Sequence, residues 1–174
     1  MRYRLSFFLI PFVFCVASWA QFQPEQIEII RDEWGVPHIY APTDPQVSYG
    51  LAWAHAEDDF ITIQQTLLAA KQMLGRYLGP KGAPIDYVVG LLRCQEIVDA
   101  HMDEVDPAFI QLVKGYIAGI NAYAENHPEE VLIKQAFPVT LHDIFKAYVL
   151  QLAVQDGADK VIRNLFDGKI DAAP

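Results

Sequence analysis

Ile29-Ile30-Arg31-Asp32-Glu33-Trp34-Gly35-Val36-Pro37-His38-Ile39-Tyr40-Ala41 contains two extended pieces and the turn between them. Ile27 to Arg31 places β-branched residues in alternation with charged ones, the pattern of a half-buried strand. Val36 to Tyr40 is a second extended piece, with Pro37 confining the backbone. Gly35 supplies the freedom that the turn needs. Two short strands do not make an independently stable sheet. Either helices in the same chain cover them or another chain completes the sheet.

Downstream the sequence is helical. Asp44-Pro45 reads as a helix start, an acceptor side chain at the N-cap followed by proline. Asp58 and Asp59 open a segment whose apolar residues, from Phe60 and Ile63 to Met73 and Leu74, recur at helical spacing until Gly75. Residues 79–84, Gly-Pro-Lys-Gly-Ala-Pro, read as a loop. Asp106-Pro107 begins the clearest amphipathic helix, with Val113, Tyr116, Ile120 and Tyr123 on one face and His127-Pro128 as its stop. Thr140-Leu141-His142-Asp143 is a capping-box pattern before the last long helix, which is expected to break near Gly157. The spacing predicts two strands and four or five helices, an α+β class dominated by helix. Residues 169–174 show no apolar period and read as a linker or a cut end.

Upstream, Arg2 and Arg4 precede an uncharged run from Leu5 to Trp19, and small residues stand at Ser18 and Ala20. That is the layout of a cleavable signal peptide over residues 1–20, with a mature chain starting at Gln21. The run falls short of the ~20 residues of a membrane span and holds Pro11. The predicted location is periplasmic or secreted, with no membrane attachment after cleavage. Of the 13 basic side chains, two would leave with the leader, taking the net charge from −9 to −11. Such a surface repels phosphate and excludes nucleic acid as a partner. Cys15 would leave too, so Cys94 stands alone, forms no intrachain disulfide and is expected to be a small buried hydrophobe.

Familiar catalytic patterns are mostly missing. The mature chain has one serine, Ser48. Gln46 occupies the place where a hydrolase elbow needs glycine, and the serine falls inside a predicted helix. There is no phosphate-cradling loop. His55-Ala56-Glu57 has the spacing of zinc deaminases but lacks their paired cysteines. His38, His55, His101, His127 and His142 are scattered without an i, i+4 pair and are read as structural or surface residues. Glu57, Asp58 and Asp59 are read as charges at a helix start rather than a catalytic cluster.

Four segments carry a resemblance. Ile29 to Ala41 resembles the opening of penicillin-acylase-family α chains, hydrophobic-Arg-Asp-x-x-Gly-Val-Pro-His-Ile-x-Ala. Tyr49-Gly50-Leu51-Ala52-Trp53-Ala54-His55-Ala56-Glu57-Asp58 follows at the family's spacing. Gly115-Tyr116-Ile117-Ala118-Gly119-Ile120-Asn121-Ala122-Tyr123 is similar to the family's Gly/Ala-Tyr-x-x-Gly-x-Asn-Ala. Phe137-Pro138-Val139-Thr140 with Asp143 resembles the start of the helix beside the acyl pocket. In order, they span nearly the whole mature chain. Asp59 departs from the pattern, which commonly has arginine there.

The resemblance implies an N-terminal-nucleophile amidohydrolase built as signal, α chain, spacer and β chain. Autoproteolysis would expose a serine, threonine or cysteine as the first β-chain residue, its own α-amine acting as base. The implied fold is a four-layer αββα sandwich shared by both chains, with residues 21–168 as the α-chain region. Gln21 has no nucleophilic side chain, so no catalytic residue is expected within this chain. By position, Leu152 and Gln155 resemble the lining of the acyl pocket. Some members bind calcium, for which Asp159, with Asp156 nearby, is the candidate ligand; no other cofactor is implied. The expected partners are the β chain of the same precursor and a small acyl-amide substrate, such as a β-lactam or an acyl-homoserine lactone. A truncated inactive fragment and a secreted helical ligand-binding module are the alternatives.

Overall fold

The computed structural model describes residues 23–168, so the expected leader and the segment 169–174 lie outside the described residues. Strands β1 (Glu28–Arg31) and β2 (Pro37–Tyr40) pair antiparallel, with Ile29 opposite Ile39 and Ile30 opposite His38. Asp32 builds the turn as much as Gly35 does. Its Oδ1 accepts the N–H groups of Trp34 and Val36, both at 2.9 Å, while Gly35 adopts a left-handed φ of 80°.

The hairpin lies on helix α1 (Asp44–Ala70). Gly50 makes this approach possible, since a Cβ there would meet Ile39 Cγ2 at 2.7 Å and Ile27 Cγ2 at 2.9 Å. Arg31 adds a polar tie at the strand end. Its guanidinium reaches Glu57 at 3.0 Å and Asp58 at 2.9 Å, and donates to the Gly35 carbonyl at 2.9 Å. The expected cap at Asp44 is corrected. Thr43 is the N-cap, and its hydroxyl donates to Gln46 Oε1 at 2.9 Å instead of serving the backbone. Asp59 interrupts the helix with φ −158°, and its carboxylate accepts the Thr62 N–H at 3.0 Å. The second segment thus starts where its charges suggested, as a capped kink inside one long helix.

Beyond α1 come α2 (Leu74–Leu78), α3 (Ala83–Leu91) and α4 (Cys94–His101). The helix expected to run to Gly75 ends at Ala70, the chain turns with Gln72 at φ 55° and resumes as α2 through Gly75, and residues 79–84 are more ordered than a loop. Gly79–Lys81 is a 3₁₀ turn, and α3 begins at Ala83 with Pro84 in its first turn. The physical cause is Asp86, whose carboxylate accepts the N–H groups of Leu74 and Gly75, each at 2.8 Å, and so caps α2 from α3.

Helix α5 (Pro107–Asn126) begins as expected, with Asp106 accepting from Ala108 at 2.7 Å. It lies against α1 at nearly backbone contact: Gly115 faces the Pro45 carbonyl, and Gly119 faces the Tyr49 carbonyl. The main core, including Ala52, Phe60, Ile120 and Tyr123, fills this crossing. Gln64, 2 % exposed, donates to the Glu130 carbonyl and accepts from Leu132 N–H, fastening the following loop to α1. Helix α6 (Leu141–Gln155) carries the full capping box, and Gly157, at φ 89°, separates it from α7 (Ala158–Phe166). Among the described residues there are seven α-helices and one two-stranded sheet, more helices than the four or five expected. No described helix is long and apolar enough to cross a membrane.

Candidate active-site groove

Helix α6 is set in place from its N-terminal end. The Asn121 side chain donates to the Val139 carbonyl at 3.0 Å and accepts the Val139 N–H at 2.7 Å. One residue later the Thr140 hydroxyl and N–H both donate to Asp143 Oδ2, at 2.6 and 2.9 Å. Lys71 at the end of α1 reaches the same oxygen at 2.7 Å. Burial works against the charge on Asp143, but Lys71 and Thr140 outweigh it and hold the carboxyl below the usual range.

From this anchor α6 runs between two apolar grooves. The first, of about 450 Å³, lies among α4, α5 and α6 and is lined by Ile97, Met102, Phe109, Tyr148, Leu152 and Gln155. The second, of about 470 Å³, lies among α1, α5 and α6, with Leu51, His55, Leu112 and Tyr116 in its walls. Phe109, Tyr148 and Gln151 border both. Leu152 and Gln155 therefore share one groove. Leu152 is 61 % exposed, so it belongs to a surface and not to the core of this chain.

Chemically the grooves can hold an apolar group but bring together no obvious reacting pair. Ser48 touches the second groove yet is buried within α1. Cys94 is fully buried, and burial pushes its thiol pKa up, away from the reactive thiolate. The five histidines meet ordinary partners: His38 Asp32, His55 Tyr116, His101 Glu104, His142 Asp99, and His127 the Tyr123 carbonyl. Asp159 falls on α7, its side chain outside the described residues, and Asp156 is the C-terminal cap of α6. Among the described residues no group of three or more His, Cys, Asp or Glu gathers as a metal site.

Sequence reasoning overlooked Lys71 and Gln64. A glutamine at a core position beside Leu67 and Leu68 is a signal that could have marked the second. Lys71 gives no such sign, because its partner lies on a distant helix.

The protein belongs to the penicillin amidase family, whose model matches residues 26–165. It is 27 % identical to the acyl-homoserine lactone acylase PvdQ of Pseudomonas fluorescens, over 82 % of this chain and 20 % of that protein. To penicillin G acylase of Escherichia coli it is 26 % identical, over 67 % of this chain and 14 % of that protein. The chain thus spans a fifth or less of these curated relatives. Among solved structures, thermostable penicillin G acylase from Alcaligenes faecalis shares the fold with a TM-score of 0.61 at 21 % identity, covering 85 % of this chain and 94 % of that one.

Proposed function

We propose that this chain is the α-chain segment of an exported amidohydrolase that removes the acyl group from a β-lactam, an acyl-homoserine lactone or a related amide. One observation carries the reading: the chain matches 94 % of one chain in a solved acylase, but only 20 % and 14 % of the curated relatives. A chain of nearly this extent in the solved enzyme supports a division of the precursor after this segment. Another relative, from a Pseudomonas species, is named penicillin acylase 2 proenzyme, as a processed precursor would be.

In this reading residues 1–20 direct export to the periplasm or beyond. Residues 21–168 wrap the β chain, completing a four-layer sandwich that covers the hairpin. The nucleophile is the first residue of that β chain. It attacks the amide carbonyl while its α-amine takes the proton, the α-ammonium hands that proton to the departing amine, and water hydrolyses the resulting ester or thioester to the free acid. Donors on the β chain stabilise the oxyanion. Here α6 supplies the wall against which the acyl group lies, with Leu152 in apolar contact and Gln155 at the rim. Asp159 is proposed as a single α-chain ligand to calcium, further ligands coming from outside the described residues.

The absence of a nucleophile–base pair in the described grooves also suits a ligand-binding module. Expression of the complete coding sequence separates the two readings. Processing into two chains with turnover of phenylacetyl or long-chain acyl amides, and no turnover by residues 21–174 alone, supports the acylase. Ligand binding without turnover by the complete protein supports the module. Turnover by the isolated segment would sink the proposed division of labour.

A further inference from the structure

Helix α6 carries the groove residues, yet the one residue of it that is buried is charged, Asp143. Its apolar side chains are partly covered or exposed; Tyr148 is 46 % and Val154 44 % exposed. Ile144 and Leu150 pack on the two core clusters without being fully buried, and a charge-assisted hydrogen bond adds direction as well as distance to that contact. The partners of the Asp143 carboxylate differ in what they can hold. Thr140 precedes the helix directly, and Lys146, at 3.5 Å, sits one turn along it. Neither ties α6 to anything else. Lys71 alone among these partners comes from another helix, with Nζ at 2.7 Å and a side chain only 16 % exposed.

We propose that Lys71 is a positioning residue for the acyl groove: its ammonium, seated on the buried Asp143 carboxylate, sets α6 against α1 and so sets where Leu152 and Gln155 stand. The proposal rests on the acyl-groove reading above. The charged groups facing Asp143 are Lys71 from α1 and Lys146 from α6. The Cys94 thiol of α4 feels Lys146, and the neutral Asn121 of α5 clamps Val139 next to the cap.

The test uses the complete processed protein. Lys71→Met keeps the length of the stem and removes the charge. KM for an acyl amide is expected to rise about tenfold, while kcat per titrated active site changes by less than about twofold. Lys71→Arg, which keeps the charge, should restore most of the loss. Hydrogen exchange read on the same proteins should quicken across residues 141–155 and stay unchanged across 107–126. An unchanged KM, or exchange quickened throughout the chain, overturns the inference. A wild type that turns over no acyl amide sinks the acylase reading instead, and the exchange pattern alone then decides whether Lys71 positions α6. Should Lys71→Met fail to fold, Lys71→Gln serves with the same outcomes.

Discussion

Asn121 holds Val139 by both backbone polar groups of that one residue, donating to its carbonyl at 3.0 Å and accepting its N–H at 2.7 Å. The asparagine sits on α5, and the valine precedes the cap of α6, so the clamp passes the position of one helix to the next. Asn121→Leu removes both bonds and leaves two backbone groups without their partner. A loss of about 2–4 kcal/mol follows from roughly 1–2 kcal/mol for each group. Asn121→Asp keeps the acceptor for the Val139 N–H but turns a carboxylate oxygen toward the Val139 carbonyl in a part-buried site, so it should lose at least as much. Denaturant unfolding of the processed protein measures the pair, and an Asn121→Asp protein as stable as wild type would show that the Val139 carbonyl does not depend on the amide donor.

Two glycines differ in a way that mutation can reveal. Gly115 lies against the Pro45 carbonyl, where a methyl group has no space, whereas Gly35 has nothing within 4 Å of an added Cβ and is constrained only by its φ of 80°. Gly115→Ala must push α5 off α1, and the obstacle is backbone, so the cost should reach or exceed about 3 kcal/mol, the upper range for overpacking. Gly35→Ala should cost only about 1–2 kcal/mol. Gly35→Asn should recover part of that, because asparagine tolerates the left-handed region. Thermal unfolding of the three variants checks the order; a Gly115→Ala protein as stable as wild type would mean that the helices separate freely.

What could be read from the sequence was what local chemistry determines. Asp106-Pro107 and Thr140 with Asp143 cap helices using atoms within three residues, and the hairpin declared itself by alternation around Gly35. Residues 79–84 were misread because the force that orders them is remote: Asp86 caps α2 from the next helix. The grooves are legible only in three dimensions, since Ile97, Phe109 and Leu152 come from separate helices. For the same reason the placement of Leu152 and Gln155 came from a resemblance and not from their spacing.

Asp143 gives the stability a pH dependence whose sign can be worked out. Burial resists ionisation, but Lys71 and Thr140 bring the folded-state pKa below that of the unfolded chain. A depressed carboxyl stabilises the fold above the unfolded value, ~3.9, and that contribution disappears as pH falls through the lower, folded value. Asp143→Asn should therefore be less stable than wild type at neutral pH, with the gap narrowing below pH ~4. Unfolding midpoints measured across that range decide it. A gap that widens in acid would mean that Asp143 is protonated more readily in the fold than out of it.

His38 is the ring in the opening motif that could be mistaken for a catalytic base. It stands on the outward face of β2, its side chain half exposed, with Nε2 3.3 Å from Asp32 Oδ2. Asp32 is already fully engaged in the turn. The Val36 N–H above all, then His38 and the Trp34 N–H, hold its carboxyl below the ordinary range against a smaller opposing effect of desolvation. The histidine thus steadies the carboxylate that organises the hairpin, and the hairpin is tied through Arg31 to Glu57 and Asp58 on α1. Under the acylase reading the base is the α-amine of the nucleophile, which leaves no proton transfer for His38. His38→Gln should lower the yield of processed enzyme by no more than about a few-fold, because so exposed a contact contributes little to the folded precursor. Turnover per titrated active site should remain within about twofold of wild type. A loss of about a thousandfold per site, with normal processing, would instead mark His38 as a participant in the chemistry, a range typical of removing a general acid or base.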